Sequence, residues 1–161
     1  MNRSDACALA AVAALFVLAA CGAADEPAVG NCELLTNAEA SELAGFELVA
    51  GTDTPLGCPF TRPGDLTAQV VVGSDALDEA LRDRVERGYP QAADILAVDG
   101  SGDEGLAVLT PTGGTVAAIV TARGGRLVEL SIFMLGIEPG DTSDIQDAAK
   151  YAALALDRAT D

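Results

Sequence analysis

Histidine and tryptophan are absent from these 161 residues, lysine occurs once, and aromatic residues make up 4% of the chain. Without histidine, no serine or cysteine nucleophile has its usual base, and a zinc site would have to be built from thiolates and carboxylates alone. The single lysine, Lys150, falls inside a helical pattern and is not preceded by a Ser-x-x-Lys motif. With no tryptophan, two tyrosines and four phenylalanines, there is no aromatic platform for a sugar ring. Basic residues are also scarce, 9 against 25 acidic ones, and the net charge of −16 opposes binding to nucleic acid or to an anionic lipid surface. No enzyme is expected. A carboxylate-dependent hydrolase is the third reading, and it requires an Asp or Glu whose pKa is raised in a cleft.

The longest uncharged run is the stretch Ala6 to Ala24. It follows Arg3, is weakened as an export signal by Asp5, and ends in Leu18-Ala19-Ala20-Cys21 before Gly22, the pattern of a lipobox. Cleavage before Cys21 would make it the lipidated N-terminus, and the two acyl chains of a diacylglycerol hold a protein stably where one does not. The alternatives are an uncleaved membrane helix and an ordinary cleaved signal. The first is weakened by the abundance of alanine and by a glycine and two cysteines inside the 19-residue span. The expected organisation is therefore a signal peptide at 1–20, a lipidated tether at 21–30 and one domain at 31–161. The tether would keep the domain within roughly 30 Å of the membrane at about 3.3 Å per residue.

Removing the leader takes one Arg and one Asp and leaves the net charge at −16. Of the four cysteines, Cys7 leaves with the leader and Cys21 takes the lipid. Cys32 and Cys58 remain as the one pair in an oxidising compartment, so the connectivity is forced if a bond forms. Closing that loop would contribute roughly 3.5 kcal/mol in the chain-entropy account. A redox pair would favour Cys-x-x-Cys spacing, which is missing.

Along the domain, Thr36 and Glu39 form a capping box for a short helix ending at Gly45. Phe46 to Ala50, Gly57 to Thr61 and Leu66 to Val72 read as strands, the last with Leu66, Ala68, Val70 and Val72 on one face. Ser74 or Asp75 is expected to cap a helix with the stripe Leu77, Leu81, Val85, flanked by Asp78–Arg82 and Asp83–Arg87 pairs and stopped at Gly88-Tyr-Pro90. Ile95 to Val98, Leu106 to Thr110, Thr115 to Ala122 and Arg126 to Leu135 follow as strands, the last three joined by Pro-Thr-Gly-Gly and Arg-Gly-Gly turns. A final helix starts near Asp141 to Asp144 and runs through Ile145, Ala149, Ala152 and Leu156 to Arg158. Strands joined by such short turns pair antiparallel. The expected fold is α+β, a twisted antiparallel sheet covered on one face by two to three helices.

Two motifs fail on inspection. Gly100-Ser-Gly-Asp-Glu-Gly105 spells a dinucleotide fingerprint, but a strand follows it where a helix N-terminus is needed, and Asp103 and Glu104 would repel a pyrophosphate. Asp99, Ser101 and Asp103 begin like a calcium loop, yet Glu104 stands where glycine is required and Thr110 where glutamate is. No cofactor or metal is expected. The alanines of the last helix, Ala149, Ala152 and Ala155, suit close packing on the sheet, with a cavity for an apolar ligand as the alternative.

Cys32-Glu-Leu-Leu-Thr36, Cys58-Pro-Phe-Thr61 and Val98-Asp-Gly-Ser-Gly-Asp-Glu104 before paired strands resemble a family of actinobacterial secreted lipoproteins whose domain has no assigned function. The resemblance spans nearly the whole mature chain. It implies a Cys32–Cys58 disulfide, a structural role for the Gly-Asp-Glu loop, an actinobacterial envelope and no known catalysis. Ser101 stands where that family has an apolar residue and Gly105 where it has alanine, which leaves the packing of this loop open. The leading expectation is a lipid-anchored binding or interaction domain on the outer face of the cell membrane, with a lipid, a small molecule or an envelope protein as partner. The alternative is a purely structural envelope lipoprotein.

Overall fold

The computed structural model describes residues 29–110, 116–133 and 142–161. The leader with Cys7, the lipobox with Cys21, the tether through residue 28, the Pro111-to-Gly114 turn, Met134 to Asp141 and the strand end expected at Leu135 lie outside the described residues.

A 3-10 turn at Asn31–Glu33 leads into α1, Asn37–Ala44. Thr36 caps α1 as expected: its hydroxyl accepts from Glu39 N, and its own backbone N–H donates to the Glu39 carboxylate. Gly45 ends the helix in the left-handed region at φ 75°. Seven strands follow: β1 Val49–Ala50, β2 Cys58–Arg62, β3 Asp65–Ala76, β4 Asp94–Ala97, β5 Glu104–Thr110, β6 Val116–Arg123 and β7 Arg126–Phe133. Helix α2, Leu81–Gly88, sits between β3 and β4, and α3, Thr142–Thr160, follows β7. All strand pairs are antiparallel, in the spatial order β1-β2-β3-β7-β6-β5-β4.

Register explains the core. Cys58, Val72, Leu130, Ile119, Ala107 and Leu96 pair in turn and form one apolar row across six strands. Over this row lies α3, whose Ile145, Ala148, Ala149, Ala152, Ala155 and Leu156 recur at helical spacing and are buried. Ala152 and Ala155 have no exposed surface, so the small side chains bring the helix close to the sheet. Helix α1 joins the same side through Ala40 and Ala44. Two helices thus cover one face of the α+β sheet, as expected.

The third helix takes the other face. Leu81 and Val85 of α2 pack against Leu106, Val108, Ala118, Val120 and Leu127, which alternate with the residues facing α3. The sheet is covered from both sides over β5 and β6, and this accounts for their uninterrupted apolar runs: both faces of each strand are buried, so no polar alternation is needed.

The boundary between β3 and α2 differs from the sequence expectation. Ser74 and Asp75 do not cap a helix; they extend β3, paired with Val128 and Leu127 of β7. The Ser74 N–H donates to Asn31 Oδ1 at 2.9 Å, and the Leu77 N–H to Gly125 O at 2.7 Å, so the backbone is committed to the sheet past that point. Helix α2 starts at Leu81 after Ala80, which provides no side-chain cap. Its ion pairs differ too: Arg87 meets Glu79, Arg82 meets Glu86, and Arg84 lies 3.7 Å from Asp75. With the helix starting five or six residues later than such a cap would place it, Asp78 falls before its first turn and Glu79 lies beside Arg87.

Candidate functional site

Cys32 in the opening turn and Cys58 at the start of β2 are bonded, with Sγ–Sγ 2.05 Å and Cα–Cα 4.9 Å. The residue before the first cysteine ties this corner to its surroundings. Asn31 Nδ2 donates to Asp53 Oδ1 at 3.0 Å and to Thr54 O at 3.1 Å, and Asn31 Oδ1 accepts from Ser74 N. A half-buried clip lies next to it. Arg158 of α3 makes a bidentate pair with Glu39, both contacts 2.8 Å, and donates to Leu34 O at 2.9 Å. Arg158 and then the two Thr36 hydrogen bonds hold the Glu39 carboxyl down to about 2 from an ordinary 4.5, against the opposing effect of burial.

The 99–105 loop is packed into the fold. Ser101 is buried, its backbone carbonyl accepts from the Thr121 hydroxyl, and its own hydroxyl faces Val98 O at 3.5 Å. The Asp103 carboxylate accepts from Gly124 N at 3.2 Å, and its N–H donates to Ala122 O at 2.8 Å. Ser101 and Asp103 therefore bond to different partners. Among the described residues no group of three cysteine or carboxylate side chains is placed to hold a metal ion.

A polar cluster that sequence reasoning missed lies on the α2 face. Glu129 and Ser131 share that face of β7, one strand pair away from Val120 and Ala118. Tyr89, just past α2, donates its hydroxyl to Glu129, and Ser131 Oγ donates to the same carboxylate at 3.3 Å. Beside them a cleft of about 40 Å³ is lined by Arg84, Val85, Gly88, Tyr89, Val120, Leu127 and Glu129. Burial first, and then the Glu129 charge and hydrogen bond, push the Tyr89 phenol well above its ordinary value of 10.0. At neutral pH this phenol is a fixed donor rather than a base or nucleophile. The signal in the sequence was the polar alternation Glu129, Ser131 inside an otherwise apolar strand, which marks a polar strip between α2 and the sheet. A space of this size accommodates a water or two and falls far below the roughly 300 Å³ of a metabolite pocket.

No family model and no curated protein matches the chain. The chain is similar to the solution structure of cyanobacterial PsbP (CyanoP) from Synechocystis sp. PCC 6803, with 14% sequence identity and a TM-score of 0.43 over 65% of this chain and 76% of that one. No described helix is long and apolar enough to cross a membrane.

Proposed function

We propose that this chain is a lipoprotein held by Cys21 on the outer face of the cell membrane, carrying a non-enzymatic interaction domain. The observation that carries the reading is the junction of a lipobox with a disulfide-closed domain: Cys32 and Cys58 are bonded eleven and more residues behind Cys21, as suits an oxidising compartment. The resemblance to actinobacterial secreted lipoproteins agrees with that placement.

A surface contact, with an envelope protein as partner, is supported better than an enclosed ligand. The α3 alanines are packed against the sheet, and the cleft beside Tyr89 is water-sized. The non-catalytic reading draws on the same chemistry. Glu39 and Glu79 both move down under arginine partners, whereas a general acid needs an upward shift. The net charge of −16 argues against nucleic acid as the partner.

Two measurements test the proposal. Cys21→Ala should abolish detergent-phase partitioning and leave an uncleaved or misprocessed precursor; unchanged partitioning would favour a membrane-spanning leader. Surface crosslinking of the anchored protein in cells should capture a defined envelope protein. A small molecule copurifying in native mass spectrometry would instead point to an enclosed site, and neither result would favour a purely structural lipoprotein.

A further inference from the structure

The β1–β2 hairpin ends in Thr54-Pro55-Leu56-Gly57, and Leu56 is 92% exposed. Among the described residues few large apolar side chains are exposed, and this one is held out on a rigid turn. Thr54 and Gly57 exchange backbone hydrogen bonds of 3.2 and 3.0 Å, and the Thr54 hydroxyl donates to Gly57 O at 2.8 Å. Gly57 has φ +124°, and a Cβ there would lie 2.6 Å from Val72 O, so the turn is pressed against β3 and cannot fold Leu56 inward by rotating there. The disulfide at the next residue, Cys58, fixes the base of the turn.

The tip also lies where the tether enters the domain. Asn31 bonds directly to Asp53 and to Thr54 O, and only nine residues separate it from Cys21. The turn Thr54 to Gly57 itself carries no charge; beside it the Asp53 carboxylate accepts from Asn31 and the Glu33 carboxylate from Gly30 N, in a chain that is 21% charged. An anionic domain held close to a bilayer meets less repulsion through an uncharged turn than through a charged segment.

We infer that Pro55 and Leu56 form a second membrane contact, inserting into the bilayer that the Cys21 lipid occupies and fixing which end of the domain faces it. This rests on the lipid-anchored reading above. One leucine is too small to recruit the protein by itself; it acts on a domain already held at the surface.

The absence of tryptophan provides the test. The lipidated mature chain carrying Leu56→Trp, reconstituted in phosphatidylcholine vesicles, should lose most of its emission to brominated phosphatidylcholine and should emit to the blue of Asp83→Trp, placed on the exposed side of α2. Asp83→Trp should be unaffected by bromine. Hydrogen exchange at residues 54–57 on vesicles should be slowed in the native chain and not in Leu56→Asp. Equal exposure of both tryptophans to water, or equal quenching of both, would overturn the contact while the chain still floats with the vesicles. Failure to float would instead overturn the anchor, and this inference with it.

Discussion

Gly105 and Ser101 show how tightly one residue can be specified. A Cβ on Gly105 would lie 2.0 Å from Ser101 Oγ and 2.9 Å from Val98 O. The serine thus occupies the space that an alanine at 105 would need, and the two positions are coupled. Gly105→Ala should destabilise the domain by about 1–3 kcal/mol, as overpacking does. Thermal melts of Gly105→Ala alone and with Ser101→Gly check this: the double variant should recover part of the loss, and the Val98 carbonyl should prevent full recovery. Glu39 is specified by charge. Its carboxyl titrates near 2 in the fold against an ordinary 4.5, so its contribution is complete above pH 4.5 and is lost as the pH falls through 2. Because the pair is partly exposed, that contribution is about 1–3 kcal/mol after solvent screening. Glu39→Gln should lower urea stability at pH 7 by this amount, and the difference from the native chain should vanish near pH 2.

Elements were legible in proportion to how local their determinants are. The α1 cap box and its terminal glycine lie within ten residues, and they read correctly from Thr36, Glu39 and Gly45. The β6–β7 hairpin was equally readable from Arg123-Gly-Gly-Arg126 between two apolar runs. The start of α2 was not, because Ser74 and Asp75 are good caps locally and the partners that hold them in β3 come from Asn31, Val128 and Leu127. Nor could local spacing show that α2 covers the opposite face from α3; that follows from which alternate residues of β5 and β6 meet which helix. The Tyr89 cluster joins α2 to β7 across 40 residues and escaped for the same reason. Tyr89→Phe should cost about 1 kcal/mol, the net worth of a hydrogen bond whose loss leaves Glu129 less satisfied. The raised phenol favours the protonated fold, so this tyrosine adds nothing to pH dependence below 10. Above 10 its preference for the neutral form opposes folding, and stability should fall as the pH rises. Ultraviolet titration should show one of the two tyrosines ionising only with alkaline unfolding.

For the whole molecule, the sheet, the helices and the disulfide were within reach of the sequence because periodicity, turn chemistry and cysteine placement all converge on them. Any partner was out of reach, since a contact surface needs no repeated spacing and leaves no motif. The disulfide closes a separation of 26 residues, and its removal should cost roughly 3.5 kcal/mol by loop entropy. Cys32→Ala/Cys58→Ala, followed by urea melts beside the oxidised chain, checks the value; a loss below about 1 kcal/mol would mean that native packing alone holds the N-terminal corner.

The position of that bond also settles how the domain bears load. Any pull on a membrane anchor enters at Asn31, reaches Cys32 one residue later and passes through sulfur to Cys58 in β2, next to the long strand β3. Helix α1, β1 and the Leu56 turn lie inside the closed loop and off the line of force. A pull at that end would therefore reach β2 and β3 without first passing through the short elements at the N-terminus. Reduction would reroute the same pull through α1 and β1 before it reached β2.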